Sequence, residues 1–160
     1  DTQLRTLVFW MMGSLGRATW PTVLPAVAMI AVAGSWLLAE QRRLDLLQLG
    51  EESARHLGVD TAALTRRTVL CAATVVGAGV AVSGIIGFVG LVVPHLVRLA
   101  GGPGHRFVLP GAALLGAGLL VIADLIARTI VLPAEVPVGL VTSALGGPFF
   151  LWLIARVRPR

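Results

Sequence analysis

The sequence predicts an all-α fold, a polytopic membrane helix bundle, on three observations. The chain is 56% hydrophobic and only 13% charged. Four stretches carry no charge at all, residues 21–39, 68–93, 107–123 and 136–155. Each has, or nearly has, the roughly 20 apolar residues that a helix needs to cross a bilayer. The 19 glycines suit close approach of helices in lipid. Lipid and neighbouring helices satisfy apolar faces in such a chain, so no soluble core is expected.

The arginines orient the spans. All 13 basic residues are arginine, and in this setting their net positive charge reports topology rather than nucleic-acid binding. They cluster in residues 41–67 (Arg42, Arg43, Arg55, Arg66, Arg67), around Arg98 and Arg106, and at Arg156, Arg158 and Arg160. The positive-inside rule makes these regions cytoplasmic and leaves Arg5, Arg17 and Arg128 outside. Two cytoplasmic regions are separated by an even number of crossings, so residues 21–39 run inward.

Taken in order, residues 1–20 are a short outer-side helix region, with Trp10 and Trp20 suited to the membrane interface. Residues 21–39 are the inward helix, and residues 40–67 a cytoplasmic loop with Asp60 as N-cap of the following helix. Residues 68–100 must hold two crossings, too few for two full helices at about 1.5 Å per residue. A short membrane hairpin is expected there, turning at Gly84 and Gly87 with Pro94 beyond. Irregular backbone at that depth survives only inside protein or against a wet cavity. Residues 106–128 run outward, residues 137–155 return, and residues 156–160 form a cytoplasmic tail. The chain opens on Asp1 without a visible signal peptide, and its first residues read as the middle of something, the C-terminal part of a longer membrane chain.

The loop holds a polar, amphipathic island. Glu51 and Glu52 begin a short helical pattern, Arg55 and His56 close it, and Gly58 follows, the charge order and stop signal a helix dipole favours. Ala54 and Leu57 are expected on one face, with Leu44, Leu46, Leu47 and Leu49 ahead, and Gly50 at the junction. Two roles fit: docking into a groove of a soluble partner, or resting on lipid headgroups.

Little else carries chemistry. His56, His95 and His105 have no Cys or carboxylate at metal-ligand spacing, so no metal site is expected. Cys71 lies in an apolar run as a small packing residue. Nothing resembles a nucleophile motif, and no lysine exists to complete a phosphate-binding loop, so no catalytic residue is assigned. Asp124 and Arg128 stand at i and i+4 near the outer end of a membrane helix. A charge near the bilayer centre costs roughly 2.5–3.5 kcal/mol, so Asp124 needs a partner. The pair is either a helix-end ion pair or a site where Arg128 meets an acidic partner outside.

Seven motifs in order are similar to those of the permease subunit of iron-siderophore, haem and cobalamin ABC importers, the FecCD or BtuC-like family. They are Phe9-Trp10-Met11-Met12-Gly13-Ser14-Leu15; residues 44–59; Gly84-Ile85-Ile86-Gly87-Phe88-Val89-Gly90-Leu91-Val92-Val93-Pro94-His95-Leu96-Val97-Arg98; His105-Arg106; Ala123-Asp124-Leu125-Ile126-Ala127-Arg128; Pro133-Ala134-Glu135-Val136-Pro137-Val138-Gly139; and Gly146-Gly147-Pro148-Phe149-Phe150-Leu151-Trp152. Asp45 stands where Asn is commoner, Gly147 where Ala is, and Pro103-Gly104 where a more polar pair is frequent.

The resemblance implies a type II importer whose permease has ten membrane helices, this chain supplying the second half. It implies a bacterial inner or plasma membrane location and two permease copies, identical or homologous, lining one pathway. The chain itself would hold no cofactor, with ATP and Mg on partner ATPase subunits. It makes Leu44, Leu47, Leu49, Gly50, Glu51, Glu52, Ala54, Arg55, Leu57 and Gly58 the ATPase-coupling loop. It gives Arg128 to docking of an extracytoplasmic substrate-binding protein, and places Trp10, Met11, Met12, Gly13 and Ser14 beside the pathway. An ion-coupled secondary transporter using Asp124, or a scaffold whose loop recruits a soluble protein, are the rival classes.

Overall fold

The computed structural model describes residues 12–16, 18–129 and 136–156, and within them seven helices. Helix α1 is Trp20–Ala39, α2 Gln41–Leu47, α3 Glu51–His56, α4 Thr61–Ser83, α5 Val89–Gly101, α6 His105–Thr129 and α7 Val138–Arg156. Three of them, α1, α4 and α6, are long and apolar enough to cross a membrane, and α5 and α7 contribute shorter apolar helices.

Pro21 lies in the first turn of α1, where its missing N–H would have no helical partner. The helix buries Ala26 and Ala33, seven residues apart and so on one face, while Val27, Met29 and Val32 stay exposed. The helix packs on α4, which buries Ala78 five residues before its own end. Small side chains let two backbones approach closely where lipid offers no hydrophobic drive.

At one end of this pair the chain folds α2 and α3 into a small core. Leu44, Ala54, Val59 and Leu64 are buried together, with Trp36, Leu46 and Leu47 packed around them. Removing each large apolar side chain from water contributes about 1.5–3 kcal/mol. The turns around α3 require positive φ at Gly50 (100°) and Gly58 (83°), which glycine adopts without steric penalty. The Asp60 carboxylate accepts from the Ala63 N–H at 3.0 Å and caps α4, as its sequence position indicates.

The break after α4 falls where the sequence places it, but the elements beside it do not pair as a hairpin. Helix α4 starts at Thr61, so Arg66 and Arg67 lie within its opening turns, and its 23 residues make a full-length helix. All the shortening falls on α5, with 13 residues, roughly 20 Å. Helix α4 packs on α1, whereas α5 packs on α6 and α7. Gly84 turns the chain at φ 71°, yet the second left-handed residue is Phe88 (φ 66°) rather than Gly87. Pro94 is no turn residue: it lies inside α5. Membrane helices tolerate such prolines because neighbouring groups satisfy the freed carbonyl.

Candidate docking segment and membrane site

The island between α1 and α4 is a folded unit with an inner and an outer side. Ala54 is fully buried and Leu44 nearly so, so these two hold the unit together and present nothing to a partner. Ala54 and Leu57 therefore do not share an exposed face, because α3 turns Ala54 onto the Leu44, Val59 and Leu64 core. The outer surface is made by Glu51, Glu52, Ser53, Arg55 and His56, flanked by Leu49 at 64% and Leu57 at 60% exposure. Leu47 is half-buried against the core.

Charges on this surface follow the helix dipole, with Glu51 and Glu52 in the first turn of α3 and Arg55 and His56 in the last. Arg55 reaches Glu51 at 3.6 Å, an exposed pair that adds little stability. Its Nε also donates to the buried Thr61 hydroxyl at 2.9 Å, which ties α3 to the start of α4.

A second connection was not legible in the sequence. Asp45 Oδ1 accepts from the backbone N–H of His105 at 2.8 Å and lies 2.7 Å from His105 Nδ1. Gln48 Nε2 donates to the Pro103 carbonyl at 3.3 Å. A helix leaves its first N–H groups without intrahelical partners, and Asp45 caps α6 from 60 residues away. Burial raises the Asp45 carboxyl, but the hydrogen bonds from the His105 backbone and ring, with the ring's charge, outweigh it and hold the group below its ordinary value. Local spacing carries no signal for this contact: His105 drew notice as a histidine without metal-ligand neighbours and as part of the His105-Arg106 motif, and Asp45 as a departure from the family's commoner Asn, with nothing to join the two.

At the far end of α4, Ser14 N–H donates to the Ser83 carbonyl at 2.8 Å. Gly13, with φ 68°, leaves no room for a side chain: a Cβ would stand 2.6 Å from the Ile85 carbonyl oxygen. A Cβ on Gly139 would overlap the Met12 carbonyl. Residues 12–14, the break after α4 and the start of α7 thus meet backbone to backbone. They border a cleft of about 280 Å³ lined by Met12, Ile85, Gly87, Gly139, Leu140 and Ser143. Trp10 and Met11, expected beside a pathway with Met12, Gly13 and Ser14, lie outside the described residues.

Near the end of α6, Arg128 Nε donates to Asp124 Oδ2 at 2.7 Å. One turn of helix brings i and i+4 side chains together, so this contact was legible. The adjoining face of the same turn buries Ala123 and Ala127 against Val138 of α7. Asp124 is thereby held at the rim of the α6–α7 contact, with the Arg128 side chain half exposed. His95, on α5, stacks edge-on against Phe149 at 6.2 Å. Among the described residues, no three His, Cys, Asp or Glu side chains converge as a metal site.

Long apolar helices with exposed apolar flanks, joined to a folded polar segment at one end, define a multi-pass α-helical membrane protein. Comparison with known proteins places it further. The model of the FecCD transport family matches residues 1–156, and the chain belongs to that family. It is 56% identical over 158 residues to the hemin transport system permease protein HmuU of Yersinia pestis, covering 99% of this chain and 47% of that one. It is 44% identical over 155 residues to the vitamin B12 import system permease protein BtuC of Serratia proteamaculans (strain 568), covering 97% and 46%. A solved structure described as an inward-facing conformation of a metal-chelate type ABC transporter superposes with a TM-score of 0.90 at 36% identity, covering 98% of this chain and 51% of that one. The chain spans about half the length of the curated relatives it matches.

Proposed function

We propose that this chain is the second half of a permease subunit of an ABC importer in a bacterial cell membrane. Two permease copies form the pathway for a metal chelate of the haem, cobalamin or ferric-siderophore kind. ATP and Mg bind to partner ATPase subunits, and the permease performs no chemistry of its own. Movement of those subunits reaches the membrane through the segment of residues 44–59, and an extracytoplasmic binding protein delivers the chelate near Arg128. Family membership over nearly the whole chain supports this reading.

The observation that carries it is the build of the segment itself. An interfacial loop resting on headgroups needs an apolar underside laid along the bilayer. Here the apolar side of α2 and α3 is consumed by an internal core, and Leu49 and Leu57 instead bracket a charged helix on the exposed side. Two apolar anchors with charges between them fit a protein cleft. Against an ion-coupled carrier, the Asp124 carboxylate is engaged by Arg128.

Co-purification tests the proposal. The full-length permease is expressed with its ATPase subunit, once native and once with residues 49–57 scrambled but Ala54 kept. Retention of the ATPase by the native chain and its loss by the scramble is the expected result. Equal retention by both refutes docking through this segment.

A further inference from the structure

Helix packing divides the described chain into two groups. Helices α1 and α4 pack on each other, and α5, α6 and α7 pack among themselves. The docking segment is continuous in sequence with the first group only, leading in from α1 and out into α4. Motion imposed on α3 therefore has a covalent route to α1 and α4. It has none to α5, α6 and α7 except by travelling the length of α4 and through the break after Ser83.

At the polar end, the packing that crosses between groups is α2 against α6. It is made by side-chain hydrogen bonds: Asp45 to the His105 backbone and ring, and Gln48 to the Pro103 carbonyl and, at 2.9 Å, to the same His105 ring nitrogen. Val108, one turn into α6, is buried just beyond.

We propose that the Asp45–His105 contact is the point at which displacement of the docking segment is delivered to the α5–α7 group, making Asp45 and His105 positioning residues for transport. This deepens the permease reading and rests on it. An acceptor oxygen fixed on α2 and directed at the first N–H of α6 transmits push and pull along the α6 axis, because α6 continues as one helix through Pro110 over its 25 residues. The other end of the same helix carries the Asp124–Arg128 pair. One continuous helix thus runs from the docking segment to the proposed binding-protein face. The connection needs an acceptor on residue 45 and not its charge, since an amide oxygen would still accept from the His105 backbone N–H.

The test uses the full-length transporter with its ATPase and binding protein in liposomes. It measures chelate uptake and ATP hydrolysis together. In Asp45→Ala and in His105→Pro, which removes the N–H that Asp45 accepts from, the ATP hydrolysed per chelate imported is expected to rise at least fivefold while the ATPase still co-purifies. Asp45→Asn, which keeps the acceptor oxygen, is expected to stay within twofold of the native ratio. The double variant is expected to be no worse than either single one, because the two residues act as one contact.

A native ratio in Asp45→Ala overturns the proposal. So does loss of the ATPase from both variants, which would make the pair part of docking rather than of transmission. Failure of the native permease to hold any ATPase refutes the permease reading instead, so the two failures are distinguishable. If Asp45→Ala does not insert, His105→Pro decides by the same ratio, since proline is tolerated in the first turn of a helix and Asp45 itself is unchanged.

Discussion

A side chain on Gly146 would overlap the Cβ of Phe88, and Phe88 is itself held in a left-handed conformation at φ 66°. It is the one non-glycine residue with positive φ among those described, and such a backbone costs of order 1–3 kcal/mol that surrounding packing must over-determine. Phe88 opens α5 and lines a cavity of about 100 Å³ with Val92 of α5, Leu119 of α6, and Thr142 and Phe149 of α7. The aromatic ring and the glycine groove together fix where the short helix starts.

Gly146→Ala is therefore expected to destabilise the protein by about 1–3 kcal/mol, the usual range for forcing a methyl into a packed contact. Thermal unfolding of the detergent-purified protein measures this. Gly147→Ala is the control, because a Cβ there meets nothing within 4 Å.

Ala54 and Leu57 should respond in opposite ways. Ala54→Leu overfills the core with Leu44, Val59 and Leu64 and is expected to lower stability by about 1–3 kcal/mol. Leu57→Asp alters an exposed position and is expected to leave stability within about 0.5 kcal/mol, while weakening ATPase retention at least tenfold. Unfolding and co-purification on the same two variants separate the core from the docking surface.

Arg128→Glu places two carboxylates one turn apart and reverses the charge at the proposed outer docking site. Binding-protein affinity for the reconstituted permease is expected to fall at least tenfold. The native affinity is expected to weaken as salt rises, since exposed charges are screened within a Debye length of about 10 Å at 0.1 M. Surface-plasmon resonance at two ionic strengths reads both.

Asp45 sets an acid limit on stability. Its carboxyl is held below the ordinary 3.8: burial raises it, and the His105 hydrogen bonds and charge more than offset this. A depressed carboxylate contributes stability fully above its unfolded value and loses it as pH falls through the folded value. The native protein is thus expected to lose more stability than Asp45→Asn as pH falls from about 5 to about 2. Unfolding midpoints measured across that range check the sign.

Much of this was legible in the residues themselves. Charge-free runs announce the membrane helices, because lipid admits few charges and water admits few such runs. The order Glu51, Glu52, Arg55, His56, Gly58 specifies α3, since the dipole and cap act within one helix. Asp60 and the Asp124–Arg128 pair were legible for the same reason: each interaction spans three or four residues of one turn. The motif order along the chain identified the family.

Only the tertiary structure decided the rest. Nothing in local spacing says that α4 begins before its arginines, that Phe88 rather than Gly87 takes the left-handed backbone, or that Ala54 faces inward while Leu57 faces out. Each depends on which element lies opposite: Gly146 against Phe88, Val59 and Leu64 against Ala54. The contact of Asp45 with His105 is the extreme case, joining residues 60 apart. Sequence fixes interactions whose partners sit within a turn of each other. Those closed by packing exist only once the helices have met, because their geometry belongs to the assembled bundle and to no single segment.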